Sequence, residues 1–155
     1  MSASSHASTP NTEETFLEIK APASTTIILT DVLCTFNKGA APASNTWTVR
    51  IKRNSAAGTP TSGTNPSIIK KREDSPASVV VSTEIDAKNG TNAFTVGTNV
   101  DTSYIESASE YSQIHYAPVF PKDFIVTNTP ANYIAITGEC TGLSRVMTIG
   151  ATWDE

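Results

Sequence analysis

The sequence predicts an all-β chain: a two-sheet antiparallel sandwich with at most one short helix. Three observations carry that expectation. Serine and threonine fill 40 of the 155 positions, and threonine favours strands while serine favours turns, neither favouring a helix interior. Short apolar runs alternate with period two rather than 3.6. Clusters of Gly, Pro and Asn separate those runs at close intervals.

Residues 1–12 are rich in Ser, Thr, Ala and Asn, which reads as a flexible N-terminal arm preceding a single domain over 13–155. Such arms often order only against a neighbouring subunit. The first strand is expected at Thr15–Lys20, before the Ala21-Pro22-Ala23 turn. In the next run, Thr26–Phe36, residues Ile28, Val32, Cys34 and Phe36 share one face, and Ile27, Leu29 and Leu33 share the other. A strand apolar on both faces is central or covered by a partner.

Thr46–Arg53 gives the cleanest alternation. Trp47, Val49 and Ile51 point one way, while Thr48, Arg50 and Lys52 point the other, so the strand has a buried face and a wet one. Residues 54–67 lack any large apolar side chain and read as a long surface loop. Ser75-Pro76 suits a helix start, but Val79-Val80-Val81 favours a strand. Asn89-Gly90 is a hairpin signal, and Phe94–Val96 continues as strand. The one candidate helix is Asp101–Gln113, where Tyr104, Ile105, Ala108 and Tyr111 fall near helical spacing. Further strands are expected at Asp123–Thr127, Ala131–Thr137 and Arg145–Trp153. Some eight short strands result, roughly the number of a jelly-roll or related Greek-key sandwich.

The chain length suits one domain, which buries roughly 70% of its unfolded surface without a metal or disulfide staple. Cys34 and Cys140 lie far apart and form no ligand spacing; they are read as half-buried free thiols, with a disulfide as the alternative. The N-terminal stretch has no apolar signal core, and no run is long enough to cross a bilayer. A soluble chain made in the cytoplasm, with no membrane partner, is expected.

A net charge of −4 argues against nucleic acid as a partner. The charge is uneven: residues 1–72 hold eight Lys/Arg against four Asp/Glu, and residues 73–155 hold three against eleven. The basic side chains are Arg50, Lys52 and Arg53, then Lys70, Lys71 and Arg72. They form either a solvated strand face and loop, or a face that docks on an acidic protein surface.

No catalytic residue emerges. The histidines are His6 and His115, too few for a His-rich metal site, and His115 reads as a hydrogen-bonded structural residue. No serine sits in a GxSxG elbow, and no glycine pattern cradles a phosphate. The acidic pairs Glu13-Glu14, Glu73-Asp74 and Asp154-Glu155 place neighbours on opposite strand faces and read as solubilising ends. Among the aromatics, Trp47 and Trp153 are candidates for a sugar platform, with core duty the stronger reading. No enzyme, cofactor or metal is expected.

Several segments carry a family resemblance. A strand follows Pro22-Ala23-Ser24-Thr25-Thr26-Ile27, then comes Thr48-Val49-Arg50-Ile51-Lys52-Arg53-Asn54-Ser55-Ala56-Ala57-Gly58-Thr59. A Thr/Pro/Asn-rich loop leads to Thr83-Glu84, and the chain ends in Trp153-Asp154-Glu155. Together these resemble the head decoration (cement) proteins of tailed bacteriophages, spread over most of residues 20–155. The sequence departs from the pattern at Asn54-Ser55-Ala56-Ala57, where the family reads nearer Gln-Ser-Thr-Ala. The resemblance implies a jelly roll, a homotrimer and the major capsid protein as partner, on the virion exterior where capsomers meet. From composition, the contacts are expected through the arm, the basic segments and Trp153, Asp154 and Glu155. A head-fibre, tail or baseplate module and a carbohydrate-binding sandwich are the alternatives.

Overall fold

The computed structural model describes residues 2–22, 25–36, 46–59, 68, 80, 85–87, 95–109, 113–117, 125–126, 133–142 and 144–155. They hold ten strands and no helix. These are β1 (Ser2–Ala7), β2 (Glu14–Lys20), β3 (Ile27–Phe36), β4 (Thr46–Ala56) and β5 (Ile85–Ala87). There follow β6 (Thr98–Ser109), β7 (Gln113–Tyr116), β8 (Ile125–Val126), β9 (Tyr133–Cys140) and β10 (Val146–Asp154).

Two antiparallel sheets pack face to face. The first runs β1-β10-β3-β7, with β8 also paired to β3; the second runs β5-β2-β9-β4-β6. Successive strands among these ten cross from sheet to sheet at six of the nine connections, the exceptions being β4 to β5, β5 to β6 and β7 to β8. The N-terminal strand lies beside the C-terminal one, and β2 lies beside β9. That interleaving is the connectivity of a jelly roll, a double-sheet solution that buries one face of each sheet against the other.

The core forms where the inward faces meet. Trp47, Val49 and Ile51 of β4 are wholly buried, as the alternation predicts. Opposite them, Met147, Ile149 and Ala151 of β10 do the same for the first sheet. Two ring contacts build one end of the core. Phe36 stacks on Trp47 with centroids 5.1 Å apart, and Phe16 meets Trp47 edge-on at 6.1 Å. Gly138 lies beneath them because a Cβ there would come within 2.9 Å of the Met147 methyl and 3.2 Å of the Phe16 ring.

Bulges explain what simple alternation missed. In β3, Asp31 pairs with Thr152 but Leu29 pairs with Trp153, so Thr30 is an extra residue. An extra residue reverses which parity faces inward. Ile27 and Leu29 are therefore buried before it, and Val32 and Cys34 after it. The apolar character on both faces comes from this switch within a central strand, and Leu33 is left 39% exposed on the outside. A second shift, between Thr15 and Leu17, makes Phe16 the extra residue of β2, so that Phe16 and Leu17 both join the core.

Two expected elements differ in kind. Residues 101–113, the candidate helix, lie mainly in β6, a long strand pairing with β4 from Thr46↔Ser109 to Ala56↔Thr98. Cross-strand pairing with β4 outweighs the weak helical spacing, and Ile105 ends 62% exposed on the strand instead of on a buried helical stripe. The segment read as a flexible arm supplies β1, whose six residues pair with β10 in unbroken register. Main-chain bonds to an otherwise open strand edge hold it, a drive that composition does not register. Of Phe94–Val96, expected to continue a strand, Thr95 and Val96 are outside any strand and Phe94 lies outside the described residues. The Val79-Val80-Val81 run, apart from buried Val80, and the Asn89-Gly90 turn lie outside the described residues.

Candidate functional site

The basic strand β4 gives the clearest concentration of charge. Its outward positions Thr48, Arg50, Lys52 and Asn54 face away from the core, in register with Glu139, Thr137, Ala135 and Tyr133 of β9. This face is less wet than the alternation predicts. The segments 57–59 and 95–97 lie over part of it. Gly58 N donates to both carboxylate oxygens of Glu18, at 3.2 and 3.1 Å, and Thr15 Oγ1 donates to Thr95 O at 3.2 Å. Thr59 and Thr95 join the two segments through their backbones at 3.2 Å.

Under that cover the cations are already paired. Lys52 Nζ lies 2.6 Å from Glu13 Oε1, and Arg50 Nη2 lies 3.2 Å from Glu139 Oε2, with Nη1 3.8 Å from Glu13. Thr137 Oγ1 also donates to Glu13. The Lys52 side chain is only 9% exposed. Burial works to raise the Glu13 carboxyl, but the Lys52 and Thr137 hydrogen bonds and the Lys52 and Arg50 charges outweigh it. Glu13 is held below its usual range. Two cations and two carboxylates thus neutralise one another inside the chain.

The other positions expected at an interface divide. Arg53 is half-buried and in register with Asp101 of β6. Lys70, Lys71 and Arg72 lie outside the described residues. At the C-terminus the Trp153 ring belongs to the core, and its Nε1 donates to Glu155 Oε1 at 2.8 Å. Asp154 and Glu155 are exposed. Since Ser2 pairs with Ala151, this acidic end sits beside the start of β1.

Glu13-Glu14, read as a solubilising pair, is structural. The neighbours diverge, as adjacent strand residues do. Glu13 joins the outer cluster, and buried Glu14 accepts from Thr9 N and Thr9 Oγ1, both at 2.7 Å. Glu13 showed in the sequence only as an acid just before a strand, with its partners Lys52 and Thr137 lying 39 and 124 positions away.

On the outer face of the first sheet, His115 Nε2 lies 2.8 Å from Asp31 Oδ1, with both side chains partly exposed. This pair ties β7 to β3 beside exposed Leu33, which is in register with His115. Cys34 and Cys140 are both buried and are not joined by a disulfide. Burial pushes the Cys34 thiol up to about 12, which suppresses the reactive thiolate. Both tryptophans belong to the core, so neither presents a stacking face for a sugar. Among the described residues, no group of three His, Cys, Asp or Glu is arranged to hold a metal ion. No family model, curated protein or solved structure matches the chain.

Proposed function

We propose that this chain is a non-catalytic structural protein of a tailed-phage virion, a decoration (cement) protein bound to the major capsid protein lattice as a homotrimer. The observation that carries this reading is the jelly-roll sandwich with its two terminal strands side by side at one sheet edge. That arrangement brings a small-residue strand and an exposed acidic end to the same border, where neighbouring protein surfaces can engage both. The family resemblance of the 48–59 segment and of Trp153-Asp154-Glu155 points the same way.

In this reading the protein works by adhesion. Apolar surface buried at each contact contributes ~25 cal/mol per Å², and several weak contacts on one oligomer add into firm attachment. Arg50 and Lys52 act inside the domain, so attachment charge falls to Lys70, Lys71 and Arg72 and to Asp154 and Glu155. The protein sits on the capsid exterior after synthesis in the host cytoplasm and engages neither membrane nor nucleic acid. The carbohydrate-binding alternative loses its platform with the burial of Trp47 and Trp153.

Two measurements test the proposal. Light scattering behind size exclusion gives a mass near three times the 16.4 kDa chain mass if the trimer preforms. Expanded heads stripped of the chain release DNA at lower temperature than heads with the chain restored. A stable monomer contradicts the preformed trimer, and an unchanged release temperature contradicts the cement role.

A further inference from the structure

We propose that residues 8–14 form an acid-released latch that decides whether the N-terminal strand β1 stays on β10. The inference stands on the geometry of one corner and does not depend on the capsid reading.

β1 carries the sequence Ser-Ala-Ser-Ser-His-Ala, with no large apolar side chain. Hydrophobic burial therefore contributes little to its docking, and main-chain pairing with β10 must be reinforced elsewhere. The corner that follows supplies the reinforcement. Ser8 N donates to Arg145 O at 2.8 Å, and Arg145 N donates to Ser8 Oγ at 3.2 Å. Asn11 N donates to Cys140 O at 2.8 Å, while Gly142 N donates to Asn11 Oδ1 at 3.0 Å. The chain reverses at Thr9–Thr12, closed by Thr12 N to Thr9 O at 3.3 Å, with Pro10 and then Asn11 at φ 54° in the middle. Proline followed by a positive-φ residue is the pattern of a type II turn, and asparagine tolerates that conformation better than most side chains.

Two consecutive carboxylates then fasten the corner to different places. Glu14 turns back to accept both Thr9 donors at 2.7 Å. Glu13 reaches the outer face of the second sheet, where Lys52 and Arg50 of β4 face it, with Glu139 of β9 beyond Arg50. Across from Glu14 on β9 stands Gly138, which brings no charge. Protonation of Glu13 removes its ion pairs with Lys52 and Arg50. The corner is then held by the hydrogen bonds of Ser8, Thr9 and Asn11.

An edge strand anchored this way opens before the sandwich does. Its departure leaves the β10 edge with unpaired backbone groups, a template for another strand.

Hydrogen exchange of the full chain, followed from neutral pH into the carboxylate range and referenced to unstructured amides at each pH, tests the latch. The expected result is that the β1 amides paired to β10 lose protection by at least about tenfold while β3 and β9 amides keep theirs. Glu14→Gln and Glu13→Gln should each produce the same selective loss at neutral pH, and Thr9→Val should imitate Glu14→Gln. The β3 and β9 amides report whether each variant is folded. Joint loss of β1 and β3 protection in wild type and variants overturns the latch. So does a transition near the ordinary histidine value of ~6.5 that His6→Gln abolishes.

Discussion

Phe36 and Trp47 stack across the sandwich, with ring centroids 5.1 Å apart and planes inclined by 13°. Phe36 ends β3 in the first sheet and Trp47 opens β4 in the second, so one contact joins the sheets at the connection between consecutive strands. Phe36→Ala should lower stability by about 2–3 kcal/mol, read as a fall in the urea midpoint with an unchanged slope. A loss below about 0.5 kcal/mol would mean that the stacking does not hold the sheets together.

Lys52 and Glu13 give a pH dependence with a definite sign. The folded Glu13 carboxyl lies below its reference value of 4.5. Its contribution to stability is present above that reference and is lost as pH falls through the lower folded value. Stability should therefore drop steeply below pH 4.5, and Glu13→Gln should flatten that part of the curve. Glu13→Gln also leaves Lys52 nearly buried without its nearest counterion, at a cost of about 1–3 kcal/mol at neutral pH. Equal pH slopes in the variant and the parent would refute the pairing.

Asn54 is wholly buried, and among the described residues neither polar atom of its side chain has a hydrogen-bond partner. Burying such a group without partners costs about 1–3 kcal/mol. Asn54→Leu should raise the melting temperature, and a fall would show that the amide is satisfied in solution.

Gly97 marks where the 95–97 segment crosses 56–58. A Cβ there would collide with Ala56 O and lie 2.8 Å from Gly58 N, both backbone atoms. Gly97→Ala should cost about 1–3 kcal/mol and speed amide exchange at Gly58, whose N–H holds Glu18. Unchanged exchange at Gly58 would exclude that close approach.

Cys34 and Cys140 should both resist a thiol reagent at pH 8 in the folded protein and react once it is denatured. Rapid labelling of either in the native state would contradict their burial.

Much of the architecture was legible because period-two alternation is a local signal. The buried faces of β4 and β10 follow directly from Trp47-x-Val49-x-Ile51 and Met147-x-Ile149-x-Ala151. The bulge at Thr30 was not legible, since it exists only relative to the register with β10. β1 was missed because a strand of Ser, Ala and His has no apolar alternation to read, and β6 because Tyr104, Ile105, Ala108 and Tyr111 fall near helical spacing and give no period-two alternation. At the candidate site, the basic side chains of β4 were found but their roles were not. Arg50 and Lys52 are matched by Glu13 and Glu139, partners that only the sheet order brings near.

The proposed function is most directly tested by sedimenting the purified chain with expanded heads of the tailed phage in which the proposal places it. The account expects saturable binding, at a fixed number of chains per capsomer junction, that unexpanded shells do not support. Absence of binding to expanded heads at concentrations that saturate every site would contradict it.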